Sequence, residues 1–189
     1  MKILAIADRP PTRSIRETVE KEQIDLICTL GDLDALQLRE LGNISHIPKL
    51  GVYGNHCSGN YFENLGIVNM HLHVVEHQGI RFGGFEGCVR YKPSSWAKMY
   101  TQDEATELLR AFPRVDVMLS HCPPFGINDD KNDDAHIGYK ALLTYLECEK
   151  PKYLFHGHTY PKPEELVKNY LETKIEYVYG DRVIEINLA

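Results

Sequence analysis

The chain has no basic excess, no cysteine framework and no long apolar run. Its 27 acidic residues outnumber 21 Lys and Arg, giving a formal charge of −6 and a pI near 5.8. That balance provides no electrostatic footprint for strong binding to duplex nucleic acid. It leaves room for a small nucleotide, because a bound cation reverses the local sign of a site. Five cysteines, Cys28, Cys57, Cys88, Cys122 and Cys148, are odd in number, scattered and free of any Cys-x-x-Cys pair. Neither a disulfide scaffold nor a zinc ribbon is expected from them. No apolar stretch reaches membrane-spanning length, and Met1 to Ala7 is too short for a signal peptide before charge enters at Asp8. A soluble, reducing, cytoplasmic setting without a membrane partner follows as the expectation. No repeat, low-complexity segment or linker divides the 189 residues, so one domain over 1–189 is expected.

What is present is an ordinary globular balance, 43% hydrophobic and 25% charged, arranged in alternating short elements. Lys2 to Ala7 reads as a buried strand that stops at Asp8-Arg9-Pro10-Pro11. A helix capped by Thr12 or Ser14 follows to about Lys21, with Glu17 placed for a capping box. Asp25 to Leu30 and Ile47 to Tyr53 read as further strands. Between them a helix is expected through Ala35, Leu36, Leu38 and Leu41, ending at Gly42-Asn43. Leu72 to Glu76 and Ile80 to Phe85 form a hairpin pattern. A helix opens at Thr101 or Asp103, Val115 to Leu119 is a strand, and residues 126–134 are a polar, acidic loop. A helix through Tyr139 to Leu146 and a strand over Tyr153 to Phe155 complete the series. Lys174 to Leu188 alternates around Gly180-Asp181 and reads as a second hairpin. Strand–helix units mixed with hairpins predict a layered α/β domain.

Five strand ends each carry a polar group able to bind metal or phosphate: Asp8, Asp32, Asn55 with His56, His121 and His158. Ligands in open α/β sheets bind beyond the carboxyl ends of the strands, so these groups are expected to converge. Carboxylate and amide oxygens mixed with imidazoles suit Mn, Fe or Zn better than Ca or Mg. One Gly-Asp after a strand is usually only a turn. The ordered set, each member following an apolar strand, is what points to a site.

Gly31-Asp32-Leu33-Asp34, Gly54-Asn55-His56, Ser120-His121-Cys122-Pro123-Pro124 and Gly157-His158-Thr159 resemble the ordered motifs of the calcineurin-like metallophosphoesterase superfamily. The likeness runs from Asp8 to Thr159. Asn69-Met70-His71, the turn at Gly79 and His136-Ile137-Gly138 resemble linking features of its small phosphodiesterase branches. This resemblance implies a four-layer αββα sandwich of two mixed β-sheets flanked by helices. It also implies hydrolysis of a phosphodiester or phosphomonoester by metal-activated water. Under it, Asp32 bridges two metals, and Asn55, His121 and His158 complete the second metal position. His56 stands at the leaving group, and His136 lines the substrate pocket with Arg9, Asn55 and His56.

The sequence departs from that pattern twice. Asp8-Arg9-Pro10 stands for Asp-x-His, and Gly157-His158-Thr159-Tyr160 stands for Gly-His-x-His. Both missing imidazoles belong, by the resemblance, to the first metal position, which keeps Asp8 and Asp32. Three outcomes are open. Arg9 is a candidate surrogate cation, forking onto phosphate oxygens, or else a plain loop-bracing residue. Tyr160 is a candidate phenolate ligand, which favours ferric iron. The third is a weak or empty first position in a protein that binds without cleaving. His71, His73 and His77 read as a polar sheet edge, His46 and His156 as hydrogen-bonded structural groups, and Asp34 as a loop brace or helix cap.

Overall fold

A computed structural model describes residues 1–187; the last residue of the expected tail hairpin, Leu188, lies outside them. The chain runs through β1 (Lys2–Ala7), α1 (Ile15–Glu22), β2 (Leu26–Thr29), a 3₁₀ turn (Arg39–Asn43), β3 (Lys49–Gly51) and α2 (Phe62–Leu65). It continues through β4 (Val68–Asn69), β5 (Val74–His77), β6 (Ile80–Phe85), β7 (Cys88–Val89), β8 (Met99–Tyr100) and α3 (Gln102–Arg110). It ends with β9 (Val117–Ser120), α4 (Lys140–Glu149), β10 (Tyr153–His156), β11 (Asn169–Tyr170), β12 (Thr173–Tyr177) and β13 (Gly180–Glu185).

Two mixed sheets face each other. The first has the order β13-β1-β2-β3-β4 and the second β11-β12-β10-β9-β6-β5. β1 to β4 are mutually parallel with β13 antiparallel on β1, while β12, β10, β9 and β6 are parallel with antiparallel edges. Period-two alternation divides each central strand between two cores. Along β1, Ile3, Ala5 and Ala7 turn toward the second sheet, meeting Phe82, Val117, Leu119 and Phe155. Leu4 and Ile6 turn outward onto Ile15 and Val19 of α1. Met118 and Leu154 turn from the second sheet onto Leu109 of α3 and Leu142 and Leu146 of α4. Three apolar interfaces thus separate four layers, helix–sheet–sheet–helix, which is the expected αββα sandwich.

Several local expectations need correction. Residues 35–38 form turns that lead into the 3₁₀ segment in place of an α-helix. Asp34 Oδ1 accepts from the Gln37 N–H at 2.8 Å and Gln37 Oε1 from the Asp34 N–H at 2.9 Å, so Asp34 acts as the cap. Leu36 is 68% exposed, which leaves Leu38 and Leu41 as buried contacts three apart, a spacing that 3₁₀ geometry satisfies. The tail is not a hairpin either. β12 pairs with β10 and β13 with β1, in different sheets. Val178, buried between the sheets, marks the crossing point. Ser14 Oγ accepts from the Glu17 N–H as expected, but the side chain that reaches back is Glu40, which accepts from Ser14 Oγ and the Arg16 N–H.

Candidate metal centre

The polar strand ends come together along one edge of the sandwich. Asp8 follows β1, Asp32 follows β2, and Asn55 and His56 lie beyond β3; His121 follows β9 and His158 lies beyond β10. Backbone bonds join these ends, from Asp8 N–H to the Gly31 carbonyl at 3.1 Å and from Gly157 N–H to the His121 carbonyl at 3.0 Å. Two glycines are required by close approach. A Cβ on Gly54 collides with the Asp32 carboxylate, and one on Gly157 falls 2.5 Å from Asp8 Oδ2. Asp8, Asp32 and His158 hold left-handed φ angles of 62°, 53° and 70°. Such conformations cost on the order of 1–3 kcal/mol for non-glycine residues and persist where surrounding contacts over-determine them.

The donor atoms are oriented by hydrogen bonds behind them. His121 donates from Nδ1 to the Leu30 carbonyl at 2.7 Å, which leaves Nε2 as the ring nitrogen that faces the cluster. That Nε2 lies 3.1 Å from Asn55 Oδ1 and 3.4 Å from Asp32 Oδ2. His158 donates from Nε2 to the Ala135 carbonyl at 2.8 Å, so its Nδ1 is the free lone pair. The donor atoms of Asp32, His121 and His158 all lie within 4.8 Å of one another. A carboxylate oxygen, an amide oxygen and an imidazole nitrogen facing one another share no donor in the neutral state, so the cluster needs a cation or a proton at its centre. These residues fit a metal ion, and the Asp32, His121, His158 group can hold one.

The electrostatics follow from the same arrangement. Burial works against an imidazolium at His121, yet Asp32 and then Asp8 outweigh it and raise its pKa to about 9. At Asp32 burial opposes ionisation, but His121 and the His56 N–H hold the carboxyl well below its usual range. Burial pushes Asp8 up to about 6 against the pull of His121 and the His158 amide. Burial, followed by repulsion from His121, pushes His158 down to about 3, leaving it neutral and able to coordinate.

The remaining sequence-predicted residues divide. Asp8 stands beside the Asp32, His121, His158 group; both of its oxygens accept the His158 N–H, at 3.2 and 3.0 Å. Arg9 places its guanidinium over the Tyr179 ring, 4.6 Å from the centroid. Tyr160 is exposed, with its ring against His136 and Tyr179. Burial and the neighbouring Asp8 carboxylate raise the Tyr160 pKa, which disfavours a phenolate ligand. His136 lies 5.2 Å from His158, ring to ring, and donates to Asp133 Oδ2 at 2.6 Å. The His56 backbone N–H donates to Asp32 Oδ1 at 2.8 Å, and its side chain is exposed.

Sequence reasoning missed two features. Asn128 is buried: its amide group donates to His156 Nε2 and the Val167 carbonyl, while its carbonyl oxygen accepts from Val167 N–H. Its backbone carbonyl accepts from Thr159 Oγ1, tying the 126–138 segment to the His158 turn. Nothing distinguishes this Asn from its polar neighbours in the sequence. His71, read as part of a polar edge, is half-buried in a chain with Tyr100 and Glu86: Tyr100 donates to Glu86 Oε1 at 2.8 Å and lies 3.3 Å from His71 Nε2. His156 is buried and hydrogen-bonded, whereas His46 is exposed.

No protein-family model matches the chain, and no curated protein does. Solved structures do match it. One aligns over 93% of this chain and 89% of its own at a TM-score of 0.65 and 16% identity. The protein TT1561 of Thermus thermophilus aligns over 82% and 80% at a TM-score of 0.56 and 14% identity. A hypothetical protein from the same organism aligns over 95% and 76% at 0.54 and 17%. The likeness is one of fold. Among the described residues no helix is long and apolar enough to cross a membrane.

Proposed function

We propose that this chain is a metal-dependent phosphoesterase of the calcineurin-like type, acting on a small phosphodiester or phosphomonoester such as a nucleotide. The observation that carries the reading is the convergence of Asp32 Oδ2, Asn55 Oδ1 and His121 Nε2, with His158 alongside. Mixed oxygen and imidazole donors favour Mn, Fe or Zn. When bound, such an ion supplies Lewis acidity, acidifying a water and polarising a phosphoryl oxygen. The chain's own residues do the rest. The Leu30 and Ala135 carbonyls fix the tautomers of His121 and His158. The Asp32 carboxylate, anchored by the His56 N–H, keeps its charge. The exposed His56 imidazole is free to deliver a proton to the departing oxygen.

A second reading, binding without turnover, is favoured by one observation. Pro10 and the exposed Tyr160 stand where the resemblance expects imidazoles, and Arg9 lies on Tyr179, so the first metal position keeps Asp8 and Asp32 alone. One experiment separates the two readings: metal content measured beside turnover of aryl phosphodiesters and monoesters with Mn, Fe and Zn. About one ion per chain is expected, with turnover lost in Asn55→Ala by roughly 100-fold or more. Full occupancy without turnover on a broad phosphoester panel selects the binding reading.

A further inference from the structure

An unbroken series of ring contacts leads away from the metal centre. His121 and His158 are 4.7 Å apart, His158 and His136 5.2 Å, and His136 and Tyr160 5.4 Å. Tyr160 meets Tyr179 at 5.6 Å, and Tyr179 carries the Arg9 guanidinium at 4.6 Å. Tyr160 is held by two steep ring contacts, at 68° to His136 and 88° to Tyr179, and yet is 64% exposed. Restraint on a ring is useful for packing when the ring is buried. Restraint on an exposed ring prepares it to receive a planar partner, because little freedom is then lost on binding.

We infer that Tyr160, braced by Tyr179, His136 and Arg9, is a stacking platform for the planar base of a nucleotide-type phosphoester whose phosphate sits at the metal centre. This rests on the phosphoester reading above and narrows its substrate class. Tyr160 lies two residues beyond His158 and Arg9 one residue beyond Asp8, so the platform is built into the turns that form the site. Two ring contacts, through His136, separate Tyr160 from His158. The guanidinium keeps the Tyr179 ring in place by cation–π contact. Every base offers a π-face, so the platform separates nucleotides from bare sugar phosphates more strongly than one base from another.

The test is a calorimetric titration of Mn²⁺-loaded protein with the hydrolysis-resistant phosphonate analogues of AMP and of ribose 5-phosphate, and with inorganic phosphate. The AMP analogue is expected to bind roughly 5- to 150-fold more tightly than the ribose analogue, the value of one stacked base. Tyr160→Ala closes that gap, and Tyr160→Phe preserves it. Equal affinity for the two analogues in the wild type, or a gap that survives Tyr160→Ala, overturns the platform while leaving the phosphoester reading intact. Failure of all three phosphorus ligands to bind overturns both.

Discussion

At the scale of single residues, the histidines divide by the hydrogen bonds behind them. His121 and His158 give one N–H each to a backbone carbonyl, which fixes which ring nitrogen is left for the site. His156 has both nitrogens engaged, Nδ1 with the Gly157 carbonyl at 3.1 Å and Nε2 with the Asn128 amide at 3.0 Å. It is therefore a structural group, and burial pushes its pKa down to about 4. The unfolded chain takes up a proton at its ordinary value, near 6.5, while the fold resists it. The stability His156 contributes is complete above pH 6.5 and declines as pH falls toward 4, at up to about 1.4 kcal/mol per pH unit. Urea unfolding of the wild type and His156→Gln at pH 7 and pH 5 checks this. The wild type should lose more stability than the variant on acidification, and equal losses would refute the assignment.

At the scale of elements, helix α3 shows what local chemistry can encode. Thr101 Oγ1 accepts from the Glu104 N–H at 3.1 Å and Glu104 Oε2 from the Thr101 N–H at 2.8 Å, a complete capping box. Thr101→Ala should cost about 1 kcal/mol of stability by denaturant titration without changing metal affinity. This helix was legible in the sequence because its cap, its length and its apolar face agree. The 35–41 segment also carries a cap and apolar residues, but tertiary packing buries only Leu38 and Leu41 on its face. The tail carries true strand alternation and a Gly180 turn at φ 79°, yet its two strands serve different sheets. Alternation reports that a strand has two unlike faces; it does not report its neighbour.

At the scale of the molecule, the candidate metal centre joins two sheets. Asp32 and Asn55 extend from the first, and His121 and His158 from the second. An ion that binds them all stabilises the folded state over the unfolded one, by about 2.7 kcal/mol at a hundred times its Kd. At about 2–4 °C per kcal/mol for a chain this size, Tm should rise by roughly 5–10 °C with Mn²⁺ or Zn²⁺. The rise should reverse with EDTA and be absent in His158→Ala, as followed by scanning calorimetry. A rise that persists in the variant would place the ion elsewhere.

Asp32, Asn55, His121 and His158 could be singled out from sequence because each follows a short apolar run at a turn, and turn chemistry is local. The sequence by itself also determined the α/β class, the places of the first three strands and the absence of two imidazoles. Only the tertiary structure decided that Asp8 is engaged by the His158 amide, that Arg9 rests on Tyr179, and that Asn128 ties a polar segment to the His158 turn. These contacts join residues as far apart in the chain as Arg9 and Tyr179. Periodicity and capping act within a few residues, whereas partners this distant are selected by the packing of the two sheets against each other.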